Sequence, residues 1–380
     1  MRIVIVTPTF FPSTYWGGPT TAMYSLCSAL AKLPNVQIEV VTTDAAGPSL
    51  SDRIAVSSFP MRLPAGFDVY YCRRQLLVSV SPGLLRTAWA RIQGADIVHL
   101  SATYSFPTLP VLAMARVSSK PLVWSPHGAL IPWRNMRKPF LKSLWNRACL
   151  RLLDPRRSFV HVSSDREASG VRTALGMMAL RVIPFGVDVP STGRQAIARR
   201  DHALRLLFLG RLDPIKGLEN LLHALSLDAS KLATLSICGS GRPEYTESLT
   251  YLVSKLGLES RVRFNGHVEG KDKLEAFANA DALVLPSHSE NFGFVVAEAL
   301  AQGLPVVASK GTPWSAVETE ECGLWVDNSP ESLAAALGSL SSVDLALMGE
   351  KGRRWVAEKL SWGSISQEML VAYEELLNRH

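Results

Sequence analysis

The sequence predicts an α/β protein of two doubly wound, parallel-sheet domains facing one another across a cleft. Three observations point there. Short runs rich in Val and Ile alternate with helical stretches almost throughout, as they do where helices cover both faces of a parallel sheet. The alternation forms two series, interrupted by the polar stretch "VPSTGRQAIARRDHA", residues 189–203. A chain of 380 residues is also long enough for two hydrophobic cores rather than one.

"RIVIVT" is the first strand, too short before Pro8 to be the core of a signal peptide. A helix from Pro19 to Leu33 follows, and then the strands "QIEVVTT", "DIVHLS", "PLVWSPH", "SFVHVSS" and "LRVIPFG". The second series runs through "LRLLFLG", "TLSICG", "RVRFNG", "DALVLPS" and "PVVAS". The expected division is residues 1–188, a linker at 189–203, a second domain at 204–360, and a C-terminal helix, 361–380, packing back toward the first domain. Sheets of this kind bind ligands beyond the carboxyl ends of their strands, so the loops that follow strands are where function is sought.

Five cysteines are scattered without a C-x-x-C pair, which fits a reducing compartment and argues against a structural metal site. No apolar run is long and clean enough to span a bilayer. Charge is uneven: residues 1–190 carry 21 Lys and Arg against 9 Asp and Glu, and Ile97 to Leu153 contains no acidic residue. A basic half attracts an anionic partner.

The second series opens with "FLGRLDPIKGLENLL". Arg211 and Lys216 directly follow its first strand, ahead of a helix expected near Gly217. A planar guanidinium fork and a mobile ammonium suit a diphosphate; two surface cations in a loop are the plainer alternative. In "SICGSGRPEY", Gly239 and Gly241 stand at a strand end, where glycine admits a ligand closely or simply makes a turn. Glu244 occupies the third position of the G-x-G-x-x-G fingerprint, which disfavours a dinucleotide-dependent dehydrogenase.

"HSENFGFVVAEALAQGLPVVAS", residues 288–309, keeps Glu290 and Glu298 in an apolar run. Burying an unpaired charge is costly, so each must reach water or a partner. A helix beginning near Gly293 would leave Glu290 in the preceding loop and present free amides around Gly293 and Phe294 to an anion. Glu298, more than a turn further on, would accept hydrogen bonds from two sugar hydroxyls. The alternative is one exposed helix glutamate and one loop glutamate favoured by the helix dipole. Together, the cations, the glycine turn and the flanked helix start suit a nucleoside diphosphate.

"GRLDPIKG" followed by "SENFGFVVAE", an E-x7-E motif, resembles the retaining glycosyltransferase family 4 of GT-B fold, which includes bacterial mannosyl- and glucosyltransferases of lipid and polysaccharide assembly. The likeness covers nearly the whole chain. "WGGPTTAMYSL" resembles the family's glycine loop, "HVSSDRE" and "VIPFGVD" the last segments of its first domain, and "SWGSISQEMLVAYEELL" its closing helix.

The resemblance implies two Rossmann-like domains. It places Arg211 and Lys216 on the donor's diphosphate, Glu298 on the ribose hydroxyls and Glu290 toward the donor sugar, with Gly17 and Gly18 closing on the phosphates from the other domain. His127, in "WSPHGAL", matches the family's cleft histidine, which contacts the sugar near the reacting carbon. Read alone, it is equally a core histidine satisfied by backbone. His127 and Glu290 are the expected catalytic residues. The family's usual "NGVD" reads "FGVD" here, with Phe185 in place of Asn, so a polar contact from that position is lost. Asp188 reads as structural. The implied reaction retains the anomeric configuration, the departing phosphate taking the acceptor's proton. No D-x-D metal pair is found, so no metal is expected, and the nucleotide sugar is substrate rather than cofactor.

"IPWRNMRKPFLKSLWNRACLRLLDPRR" carries Arg134, Arg137, Lys138, Lys142, Arg147, Arg151, Arg156 and Arg157 against Asp154 alone. On a helix, Leu141, Leu144, Trp145, Ala148 and Leu152 form one apolar stripe, either lying on an anionic membrane or facing the core with a solvated basic rim. Nucleic acid is not expected as a partner, since no fold for it is recognised and the interleaved aromatics are few. The expectation is a cytoplasmic enzyme, peripheral on the inner face of the cell membrane. It would move a hexose from GDP-mannose or a UDP-sugar to a lipid-linked or oligosaccharide acceptor in lipopolysaccharide or exopolysaccharide assembly. The rivals are an epimerase, which needs no acceptor, and a silent nucleotide-sugar-binding assembly subunit.

Overall fold

Ile3 to Val6 of β1 (Arg2–Val6) are wholly buried, because β1 lies inside a sheet covered on both faces. Burial of each such side chain contributes roughly 1.5–3 kcal/mol. The computed structural model describes residues 1–379 except 14, 78, 132–138, 192–203 and 228–232. The chain folds as two units, Met1–Gly186 together with the residues from Trp362 onward, and Val187–Ser361. The chain thus leaves unit 1 ahead of the expected linker, most of which lies outside the described residues.

Unit 1 continues through α1 (Gly18–Leu30), β2 (Gln37–Thr43), β3 (Met61–Arg62), β4 (Asp68–Cys72), α2 (Pro82–Gln93), β5 (Ile97–Leu100) and α3 (Thr108–Val117). β6 (Leu122–Trp124), α4 (Pro139–Leu152), β7 (Ser158–Val162), α5 (Asp165–Leu175) and β8 (Leu180–Val182) complete the series. Its sheet has the order β3-β4-β2-β1-β5-β6-β7-β8, parallel among the described residues except for the antiparallel edge pair of β3 and β4. Serine caps mark helix starts: Ser81 accepts from the Leu84 amide and Ser164 from that of Glu167, each cap worth about 1 kcal/mol.

Unit 2 comprises β9 (Arg205–Leu209), α6 (Leu218–Leu227), β10 (Thr234–Cys238), α7 (Pro243–Lys255), β11 (Val262–Gly266), α8 (Gly270–Ala278) and β12 (Ala282–Leu285). It ends with α9 (Phe294–Ala301), β13 (Val306–Ser309), α10 (Ala316–Thr319), β14 (Gly323–Val326), α11 (Pro330–Ser339) and α12 (Leu345–Lys359). The sheet is wholly parallel among the described residues, in the order β11-β10-β9-β12-β13-β14. The strand order reverses direction between β9 and β12. In sheets of this kind the connections at such a reversal leave toward opposite faces, which is where a ligand crevice forms at the carboxyl ends.

The last helix, α13 (Trp362–Leu377), belongs to unit 1 and packs on α1. Ile365, Met369, Ala372, Tyr373 and Leu376 face inward, a spacing of three and four residues that lines one helical face. The Trp362 ring lies against Gly186, where a Cβ would come within 2.5 Å of it.

The apolar stripe expected on α4 is split. Cys149 and Leu153 are buried, with Trp145 and Leu152 packed beside them, whereas Phe140 (77%), Leu141 (54%) and Leu144 (53%) are exposed. α3 and α5 pack against α4, while Phe140 and Leu141 near its start stay in solvent. Arg134, Arg137 and Lys138 lie outside the described residues. No single described helix is long and apolar enough to cross a membrane.

Candidate functional site

The loops after β9 and β12 meet at the reversal point of the second sheet. After β9 come Gly210 and Arg211, then a single 3-10 turn, Pro214–Lys216, whose start is capped by Asp213 accepting from the Ile215 amide at 3.1 Å. Gly217 ends it in the left-handed region (φ 64°), where a Cβ would also lie 2.2 Å from the Pro286 carbonyl. Only glycine fits there. The turn carries the Lys216 ammonium to Glu290, to which it donates; the two side chains are 17% and 12% exposed. Ser287 donates to the same carboxylate oxygen at 2.8 Å, and the Glu290 amide donates to the Gly311 carbonyl at 3.0 Å. Arg211 lies in the same loop and is exposed.

Gly239 and Gly241 serve that loop directly. A Cβ on Gly239 would stand 1.8 Å from the Gly210 carbonyl, and one on Gly241 2.2 Å from that of Leu212. The Gly210 amide donates to Cys238 and that of Leu212 to Ser240. The glycine turn after β10 is therefore a backbone-to-backbone support for the segment bearing Arg211.

α9 begins at Gly293, left-handed at φ 80° and without a side-chain cap. Its first amides are aimed out of the helix with the positive end of the dipole, the arrangement that binds anions. Aromatic rings fix this start: Phe292 packs edge-on against Phe294 at 5.0 Å, and the Trp314 indole donates to the Phe292 carbonyl at 2.5 Å. On the next turn, Glu298 accepts from Lys273 of α8 at 2.6 Å, both side chains under a third exposed. Such a pair contributes up to ~1 kcal/mol. Nothing in the sequence marks Lys273, because its partner is 25 positions away.

In unit 1, β6 runs into Ser125-Pro126-His127-Gly128. His127 and Gly128 are both left-handed (φ 51° and 77°), a conformation a histidine holds only when its surroundings impose it. They do. His127 Nε2 is 2.7 Å from Ser101 Oγ, and its ring stacks on Phe185 at 5.8 Å and 26°. The Gly128 amide donates at 2.5 Å to Glu167, a carboxylate 1% exposed that also accepts the Ser163 amide and hydroxyl at 2.8 Å each. Although part of the residue's surface is accessible, burial of the imidazole, followed by the nearby His161, pushes the His127 pKa down to about 3. It is neutral near pH 7. Glu167 was not singled out in the sequence; its role depends on a turn 39 positions away.

Gly17 starts α1 with φ 73°, and Gly18 is the first residue of that helix. The predicted residues therefore form two groups. Arg211, Lys216, Gly239, Glu290, Gly293, Phe294 and Glu298 gather at the carboxyl edge of the second sheet, and Gly17, Gly18 and His127 lie in unit 1.

Residues 16–190 match the family model of glycosyltransferase family 4, and residues 191–356 that of glycosyl transferases group 1. An uncharacterized glycosyltransferase of Methanocaldococcus jannaschii is 35% identical over 188 residues, 48% of this chain and 47% of that protein. A D-inositol 3-phosphate glycosyltransferase of Corynebacterium efficiens is 34% identical over 185 residues, 46% and 43% of the two chains. The chain spans about half the length of the curated relatives it matches. The crystal structure of Anabaena HepE in complex with UDP superposes with a TM-score of 0.73, covering 99% of this chain and 100% of that one at 18% identity, a likeness of fold.

Proposed function

Because the chain carries a glycosyltransferase family 4 domain followed by a group 1 glycosyl transferase domain, we propose that it transfers a hexose from a nucleoside diphosphate sugar to an acceptor hydroxyl. The donor is GDP-mannose or a UDP-sugar, and the acceptor a lipid-linked sugar or an oligosaccharide of cell-surface polysaccharide assembly. The observation that carries this reading is the meeting of Lys216 and Glu290 at the reversal point of the second sheet, beside the uncapped start of α9. The HepE structure, in complex with UDP, supports a nucleoside diphosphate as the kind of ligand bound.

In the reaction, the bond between the anomeric carbon and the phosphate oxygen breaks, and the electron pair leaves with the diphosphate. Arg211, Lys216 and the first amides of α9 stabilise that charge, placed in advance, by several kcal/mol in comparable sites. No metal is assigned to this task. Glu298 accepts the ribose hydroxyls while Lys273 holds its other side. Glu290, steadied by Lys216 and Ser287, faces the sugar. His127, uncharged, contacts a sugar hydroxyl near the reacting carbon. The acceptor oxygen attacks from the face the phosphate leaves, its proton passing to the departing phosphate, so configuration is retained.

The curated relatives named as D-inositol 3-phosphate glycosyltransferases favour a second acceptor class, a small phosphorylated polyol, which the basic unit 1 would also attract. We assign the protein to the cytoplasmic face of the membrane as a peripheral enzyme. The exposed Phe140, Leu141 and Leu144 beside Lys142, Arg147 and Arg151 support that assignment.

Thermal unfolding with UDP, GDP, ADP and CMP tests the donor site. One diphosphate alone should raise the midpoint, by a stabilisation of ~2.7 kcal/mol at a hundred times its Kd. If none does, the donor site is not where we put it. Turnover of the matching nucleotide sugar without any acceptor would instead identify an epimerase.

A further inference from the structure

A chain of hydrogen bonds runs through the interior of unit 1 and includes none of the residues placed at the site. The Tyr373 hydroxyl in α13 lies 2.6 Å from His99 Nδ1 in β5. His99 Nε2 is 2.7 Å from Ser125 Oγ, just past β6. The same Oγ is 2.7 Å from His161 Nδ1 in β7, whose Nε2 is 2.9 Å from the Ile183 carbonyl. Tyr373 and His99 are 0% exposed, Ser125 1% and His161 2%.

The far end fixes every proton. A carbonyl only accepts, so His161 carries its hydrogen on Nε2 and, being neutral, must accept at Nδ1. Ser125 has one hydrogen, and it goes to His161. Ser125 therefore accepts from His99 Nε2, which leaves His99 Nδ1 bare to accept from Tyr373. One arrangement satisfies all the groups. Burial keeps both imidazoles uncharged, pushing His161 down to about 4 and His99 well below its ordinary value. An apolar core would hold α13 at least as firmly. What a fully satisfied buried polar chain adds is a single register.

We propose that this relay is the positioning frame of His127, with Tyr373 as its terminal donor; the proposal rests on the catalytic reading of His127. Two links carry it. The His99–Ser125 contact is followed two residues along each segment by the Ser101–His127 contact, also 2.7 Å, so the short stretches running off the ends of β5 and β6 are tied to each other twice. Fixing the first contact aligns the second. The relay also ends at Ile183, two residues before Phe185. The Phe185 ring meets His161 edge-on at 6.3 Å and lies flat on His127 at 5.8 Å. A family position usually filled by Asn thus holds a ring clamped between the relay and the catalytic imidazole. Tyr373 acts only through these neighbours and is a positioning residue.

Tyr373→Phe removes the terminal donor, and Ser125→Ala cuts the middle. Nucleotide titration, steady-state kinetics and 15N NMR of the histidine rings of the full chain read both. We expect diphosphate affinity within about twofold of the parent and kcat lowered roughly tenfold or more, as small misplacements near a reacting centre do. The double variant should be no slower than the slower single, since both cut one relay. At neutral pH, NMR should show His99 and His161 with the proton on Nε2, and the His127 resonances should move in each variant. If Tyr373→Phe fails to fold, Ser125→Ala decides. Unchanged kcat with unmoved His127 resonances, or a proton on Nδ1 of His161, overturns the relay. Absence of any transfer by the parent protein defeats the proposed function instead, and the NMR arm still judges the relay.

Discussion

Each carboxylate of the second unit's site has its own lysine, Lys216 for Glu290 and Lys273 for Glu298. Both glutamates are thereby held in place before a ligand arrives, which lowers the cost of ordering on binding. Replacing Glu298 by Ala should weaken binding of the recognised diphosphate roughly tenfold, ~1.4 kcal/mol; calorimetric titration showing unchanged affinity would remove the ribose assignment. Gly239→Ala sets backbone against backbone at Gly210, where no side chain can yield. We expect a loss of about 3 kcal/mol in urea unfolding, and a loss below 1 would mean that the turn simply shifts. Arg211, Lys216, Glu290 and Glu298 could be proposed from the sequence because charge in or beside an apolar run at a strand end is conspicuous. Lys273 and Glu167 could not, since each is defined by a partner far along the chain.

Strands and helices followed the sequence where Val and Ile are concentrated. β4, "DVYYC", was missed because its bulk is aromatic, and β14 because it opens with glycine at a sheet edge. α9 was found through Gly293, the residue that starts it. α4 is the element whose inward face was misread, and its bare first turn is testable. Vesicles rich in phosphatidylglycerol should bind the protein, with each nearby cation adding about 1 kcal/mol and rising salt weakening the attraction. Changing Phe140 and Leu144 together to Ser should cut co-sedimentation about tenfold. Equal binding by parent and variant would return this turn to ordinary solvent exposure.

Among the described residues, the histidines shifted by burial, His99, His127 and His161, all lie in unit 1. In the unfolded chain they take up protons near pH ~6.5, while the folded values are depressed. The stability they protect is therefore complete above that pH and falls as pH drops toward about 4 and about 3, by up to ~1.4 kcal/mol per pH unit for each. Hydrogen exchange at pH 5 should show unit 1 losing protection before unit 2; simultaneous loss in both would place the acid-sensitive groups elsewhere. The two-unit plan was legible from the restart of the strand pattern. That α13 completes unit 1 has a consequence for synthesis. The sequence of unit 2 is finished while unit 1 still lacks Tyr373, so His99 waits without its donor until the downstream helix has been made and docked. A chain ending just before Trp362 should carry a protease-resistant unit 2 beside a unit 1 that remains readily cut.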